Sequence, residues 1–243
     1  MNSSKQKVYY HGTDPRFLFS IMNTGFNLEE TIHGRMSGNG IYLATKPESA
    51  IYWASPGGVH RHYYAIKVNL QPGVKILWKE RNYNKRIIRS LEKKFTKKVS
   101  CNYDFWKYIP SNKQLTSNEL RALISHLDII ELSLEWHRKR YKFLDKKNKH
   151  LSRFNKLIRQ YGYDAIGDRT QNDWDSDEII VFNPSLVIPL SVHQLDFKWD
   201  TKQDVPQYVI YSAPLPLTRV QTISSDELED YRRWESEYEA ELQ

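Results

Sequence analysis

Three short, widely separated stretches carry side chains whose types and spacing could do chemistry. The first is Tyr10-His11-Gly12-Thr13. The second is Gly38-Asn39-Gly40-Ile41-Tyr42-Leu43-Ala44, followed after four intervening residues by Ser49-Ala50-Ile51-Tyr52. The third is Asp177-Glu178-Ile179-Ile180-Val181-Phe182-Asn183-Pro184. An imidazole such as His11, fixed at a strand end, can donate or accept a hydrogen bond. Glu178 opens an apolar run, and a carboxylate held in place can stabilise positive charge that develops during a reaction. Asp175 and Asp177 precede it, and one of these acids could serve as a base toward an incoming nucleophile. Taken singly, each has an ordinary structural reading: a hydrogen-bonded histidine, a helix-capping threonine, a surface acid at a strand start, a solvated acidic loop.

Separate elements must bring these pieces together. Lys7 to His11 is β-rich and reads as a first strand. A helix follows, with Thr13 or Asp14 as cap, Pro15 in its first turn, a stripe of Phe17, Leu18, Ile21 and Met22, and Gly25 just past its end. Ile41 to Ala44 reads as a short strand, and Thr45-Lys46-Pro47-Glu48 as a capping box opening a helix that runs to about Ala54. Tyr64, Ile66, Val68 and Leu70 alternate with more polar positions, as on a half-buried strand. Val74 to Trp78 reads as another. Residues 84–161 read as mostly helical, and β character returns at 163–166, 178–182 and 186–195. Strands, then helices, then strands predict an α+β architecture rather than alternating βαβ units.

Composition bounds the rest. The 243 residues, 40% apolar and 27% charged, suffice for one large domain with a real core and exclude a disordered chain. No apolar run approaches the ~20 residues of a membrane span. The first residues lack a signal-peptide apolar region, so the expected location is the cytoplasm. Cys101 is the sole cysteine, which excludes an internal disulfide and a multi-cysteine metal site. Net charge is +7, but residues 224–243 hold eight acids and two arginines, so residues 1–223 carry +13. Lys79 to Lys98 contains nine basic and two acidic residues, and Trp136 to Arg159 ten and one. A body this basic suggests a polyanionic partner. The expected organisation is one domain over 1–223, with a basic, mostly helical insertion at 79–160. After it comes an acidic amphipathic helix at 224–243, whose Leu228, Tyr231, Trp234, Tyr238 and Leu242 need a partner surface.

In this order, the three motifs resemble those of the diphtheria-toxin-like ADP-ribosyltransferases, the branch that includes the poly(ADP-ribose) polymerases. The resemblance covers roughly residues 7–70 and 160–195 and implies that family's fold, two small, mainly antiparallel sheets around an NAD cleft. It also implies roles. His11 would bind the adenosine ribose hydroxyls. Gly12 would offer its backbone to the nicotinamide carboxamide, where a side chain would block the approach. Thr13 would support that pocket, and Ser49 would add a hydroxyl. Tyr42 and Tyr52 would hold the nicotinamide ring. Ser49 and Tyr52 sit one residue nearer the Gly-Ile-Tyr motif than in the family, which makes Trp53 an alternative to Tyr52. Glu178 would be the catalytic group, hydrogen-bonded to the ribose 2′-hydroxyl and stabilising the oxocarbenium-like transition state as nicotinamide leaves. His11, Tyr42 and Glu178 form the expected catalytic set, NAD is the co-substrate, and no metal is needed because the leaving group is already cationic.

The toxins that modify arginine carry Arg at the first position and Gln or Glu two residues before the catalytic acid. This chain has His11 and Ser176 there, which disfavours an arginine acceptor. The expected activity is transfer of a single ADP-ribose to a macromolecule, by a microbial toxin, effector or defence protein. The basic segments interleave Tyr83, Phe95, Trp136, Tyr141, Phe143 and Phe154, as RNA or single-stranded DNA binding requires, so a nucleic-acid acceptor, RNA foremost, is favoured over protein. The acidic tail could pair with that basic region or dock an inhibitor or antitoxin. The other readings are a silent NAD or ADP-ribose binding module, an RNA 2′-phosphotransferase and a plain nucleic-acid-binding protein.

Overall fold

The computed structural model describes residues 7–13, 15–28, 40–54, 63–80, 84–95, 115–126, 155–169, 176–200, 205–210 and 213–217. Within them the chain runs β1 (Tyr9–Thr13), α1 (Pro15–Thr24), β2 (Ile41–Ala44), α2 (Pro47–Ala54), β3 (Tyr63–Leu70), β4 (Ile76–Trp78) and α3 (Lys85–Phe95). Two further helices, α4 (117–126) and α5 (155–160), follow. The chain then adds β5 (Ala165–Asp168), β6 (Glu178–Val181), a 3-10 turn at Pro184–Leu186, β7 (Val187–Asp200) and β8 (Val205–Ile210). Gly38, Asn39, Asp14, Asp175, Cys101, most of the Trp136 to Arg159 segment and the whole of 224–243 lie outside the described residues, as do the side chains of Tyr52, Trp53 and Phe95.

The eight strands hydrogen-bond in the order β4-β5-β6-β2-β1-β3-β7-β8. Every neighbouring pair is antiparallel except β4 and β5. The architecture is α+β, as expected. The strands do not form two separate sheets, and this corrects the expectation. The reason is one register pair, Tyr10 opposite Ala44, which joins β1 to β2. By contrast β1 pairs with β3 over all five of its residues, and β2 with β6 over all four. The sheet is therefore two four-stranded halves, β1-β3-β7-β8 and β2-β6-β5-β4, meeting at one point and parting beyond it.

Local sequence explains most elements. Pro15 suits a first helical turn because its missing N–H has no acceptor there anyway. Gly25 closes α1 at φ +85°, and its N–H donates to the Ile21 carbonyl at 2.9 Å. That left-handed conformation is one glycine takes without penalty. β8 is the strand the sequence hides. Pro206 interrupts its apolar pattern, yet β8 ends the order of described strands, and at such an edge a missing donor is tolerated.

Both sheet faces are covered. On one face α1 buries Leu18 and Ile21 against Ile41, Leu43, Ile179 and Val181. On the other, Ile51 of α2 packs on Ala65, Leu195 and Tyr10. Beside it Ile88 and Leu91 of α3, Leu120 and Leu123 of α4 and Ile158 of α5 cover Leu77, Ile166 and Ile180. Each such side chain contributes about 1.5–3 kcal/mol on burial. The described parts of the 79–160 segment are thus part of the core that backs β4, β5 and β6. Outward, α3 exposes Lys85, Arg86, Arg89 and Lys93.

Candidate active site

His11, Tyr42 and Glu178 come from three adjacent strands, β1, β2 and β6. Residues paired across a sheet project from the same face. Tyr10 pairs with Ala44, and Ala44 with Glu178, so Tyr10, Ala44 and Glu178 form a row on the α2 face. Tyr42 pairs with Ile180 and shares that face, packed against the cluster beneath α3 to α5. Alternation sends His11 to the opposite face, where its ring meets the Phe26 ring edge-on at 4.9 Å between centroids. His11 does not stand beside Glu178. It reaches β2 instead across the parting of the strands, its Nδ1–H donating to the Tyr42 carbonyl at 2.9 Å.

That hydrogen bond decides the tautomer. A carbonyl only accepts, so the proton sits on Nδ1 and the Nε2 lone pair is an acceptor in the neutral ring. Burial lowers the His11 pKa from 6.5 more than the Tyr42 carbonyl raises it, so the ring is neutral at pH 7. Gly12 pairs with Ala65 and lies on the α2 face, while Thr13 pairs with Tyr64 and lies on the His11 face.

α2 is set against β6 by its own lead-in. The Asp177 amide donates to Thr45 Oγ1 at 2.9 Å and the Thr45 amide to the Asp177 carbonyl at 2.9 Å. The Lys46 amide donates to Ser176 Oγ at 3.1 Å. The Thr45 hydroxyl that the sequence reads as a helix cap thus ties the helix to the approach of β6. This places Ser49, wholly buried, above the first residue of β6, with its hydroxyl donating to Glu178 Oε1 at 3.5 Å. The Ser49 hydroxyl therefore faces the carboxylate. Tyr52 follows Ser49 by three residues in α2.

Gly40 lies flat against β6. A Cβ there would come within 2.7 Å of both Ile180 Cγ2 and the Val181 carbonyl oxygen, so only glycine permits this approach of β2 to β6. The acids near Glu178 divide between the two faces. Asp177 accepts from Lys7 Nζ at 2.6 Å. It also raises the pKa of Tyr9, on the α1 face, where burial is the larger cause of the rise. Asp177, one of the two acids read as a possible base, is therefore engaged with Lys7, while Asp175, the other, lies outside the described residues. Asp168, which sequence reasoning passed over, pairs directly with Glu178 across β5 and β6. Its carboxylate is 3.6 Å from Lys79 Nζ. Nothing local marks Asp168, since register across strands creates the neighbourhood.

The sheet thus gathers Tyr42, Ser49, Glu178 and Asp168 on one face, and holds His11 at the gap from the other. Such an arrangement offers a carboxylate beside a buried hydroxyl, a neutral imidazole acceptor and, among the described residues, a stretch beyond Tyr10 and Ala44 where β1 and β2 share no further register pair. No group of three or more His, Cys, Asp or Glu side chains is placed to hold a metal among the described residues. Among them, too, no helix is long and apolar enough to cross a membrane. No protein-family model matches the chain, and no curated protein does either.

Proposed function

We propose that the chain is a diphtheria-toxin-like ADP-ribosyltransferase that moves one ADP-ribose from NAD to a macromolecular acceptor, RNA ahead of protein. In this reading it is a cytoplasmic toxin, effector or defence protein. The observation that carries it is that the three motifs fall on neighbouring strands: His11 on β1 is bonded across the seam to the Tyr42 carbonyl of β2, and Glu178 on β6 lies beside β2, on the face opposite His11, under Ser49.

The geometry suits the roles. His11, Gly12 and Thr13 pair on the β3 side and, among the described residues, share no register pair with β2, and this is the edge proposed to take the dinucleotide. His11 Nε2 accepts from a ribose hydroxyl. Tyr42 flanks the nicotinamide, and Tyr52 of α2 is the second ring that the resemblance implies. Glu178 accepts from the ribose 2′-hydroxyl, and its charge attracts the sugar more strongly as the bond to nicotinamide breaks. An interaction that strengthens in the transition state accelerates the reaction. Ser49 donates to the same carboxylate, holding it in position. The exposed Lys85, Arg86, Arg89 and Lys93 of α3 support a polyanionic acceptor.

The test is incubation with labelled NAD and separate pools of RNA, DNA and protein, with Glu178→Ala alongside. Label in RNA that disappears in the variant is the expected result. Label in protein only would reverse the acceptor preference, and label that persists in the variant would remove Glu178 from the chemistry. Absence of nicotinamide release would leave the silent NAD-binding module in its place.

A further inference from the structure

Lys79 and Asp168 form the most enclosed of the ion pairs seen among the described residues. Their side chains are only 10% and 19% exposed, which makes the pair more enclosed than Lys7 with Asp177, Lys94 with Glu119 or Arg121 with Glu80. Taking two charges out of water costs more than their attraction returns unless geometry and further hydrogen bonds are excellent. Asp168 is also directly opposite Glu178 in the β5–β6 ladder, and like charges so placed are destabilising. The pair adjoins the candidate catalytic carboxylate.

The backbone holds this arrangement firmly. The Lys79 amide donates to the Gly167 carbonyl at 2.8 Å, extending the parallel β4–β5 ladder so that Lys79 follows Trp78 alongside Asp168. The next amide, Glu80, donates to Ser125 Oγ of α4 at 2.8 Å, and the Glu80 carboxylate pairs with Arg121 at 3.1 Å. On the other side of Glu178, Ser176 is buried in bonds to Thr45 and Lys46, and Asp177 is bonded to Lys7. Of the described carboxylates flanking Glu178 in the sheet, Asp168 is the one on its face.

Resting on the function proposed above, we propose that Asp168 is the base that receives the proton of the incoming nucleophile, with Lys79 holding its carboxylate in place. Glu178 stabilises the sugar cation. The acceptor oxygen forms its bond to the ribose C1′ as the C1′–nitrogen bond breaks. Nicotinamide leaves as a neutral molecule with that electron pair. The acceptor O–H proton passes to Asp168 and then to solvent. Water in place of the acceptor follows the same path and yields free ADP-ribose.

Nicotinamide release from NAD in water reads this directly, and azide separates the roles because it is an anion with no proton to lose. Asp168→Asn should slow release by about a hundredfold, the lower end of what a positioned base contributes. Added sodium azide should restore most of that rate and yield ADP-ribosyl azide. Glu178→Gln should be slow with or without azide, since it loses cation stabilisation. Lys79→Gln keeps the Asp168 carboxylate and should retain more activity than Asp168→Asn. If Asp168→Asn loses its thermal transition, Asp168→Ser is read in the same way. An Asp168 variant as fast as the natural chain overturns the inference. So does one that is slow but unmoved by azide, or one matched in loss by Lys79→Gln, because the pair would then be structural. If the natural chain releases no nicotinamide, the proposed transferase activity itself falls, and this role with it.

Discussion

His11 titrates in a partly enclosed place, and its protonation is tied to folding. Burial lowers its pKa from 6.5, so between the lowered value and 6.5 the unfolded chain binds more protons than the folded one. Stability contributed by this group rises with pH through that window and is lost on acidification. Melting temperatures measured at about pH 7.5 and about pH 5.5, either side of the ordinary histidine value, should fall less on acidification in His11→Gln than in the natural chain. An equal fall in both would show that the ring titrates as freely folded as unfolded. Ser49 makes a second residue-scale case. Ser49→Ala removes the hydroxyl above Glu178 without adding bulk, so nicotinamide release should drop while folding is nearly preserved. If the rate does not change, the 3.5 Å contact holds nothing that matters. The residue types His, Tyr and Glu were legible in sequence. That His11 approaches from the far face, through the Tyr42 carbonyl, was not, because side-chain alternation is settled only once the strands pair.

At the scale of elements, the seam between β2 and β6 has the tightest tolerance. Gly40→Ala would set a Cβ against Val181 backbone, which cannot move aside as a flexible side chain could. Overpacking of this kind costs about 1–3 kcal/mol, and a denaturant midpoint shift of that size is the expected reading. Activity should fall as well, since the displaced strand is the one that begins with Glu178. The glycine-rich motif was visible in sequence as a motif. The close approach that requires glycine there appears only when β6 is laid beside β2. α2 behaves similarly: Thr45 looked like a local cap, yet its hydroxyl takes the Asp177 amide from 132 residues away.

For the whole molecule, the helices of the 79–160 segment join the site to the core. Leu123 of α4 is fully buried in the cluster that backs β4, β5 and β6. Leu123→Ala should cost about 2–5 kcal/mol in denaturant unfolding, as a core cavity does. If α4 were a loosely attached appendage, the cost would be a small fraction of that. The outer face of α3 is where the proposed polyanionic acceptor can be tested. Replacing Lys85, Arg86, Arg89 and Lys93 with alanine should weaken binding to single-stranded RNA. It should also make the dependence of log affinity on log salt shallower by up to about 3, at roughly 0.7 for each phosphate no longer neutralised. An unchanged salt slope would place the nucleic acid elsewhere.

From the sequence by itself come the α+β class, nearly every strand, the first two helices and the candidate residues, because these follow from local periodicity, caps and short motifs. Only the tertiary structure decided that two half-sheets meet at the single pair of Tyr10 and Ala44, that Asp177 turns away to Lys7, and that Asp168 with Lys79 stands beside Glu178. The physical reason is that strand order and register place residues far apart in the chain side by side. The apolar pattern of each strand says which side chains face the core, but not which strand will be its neighbour.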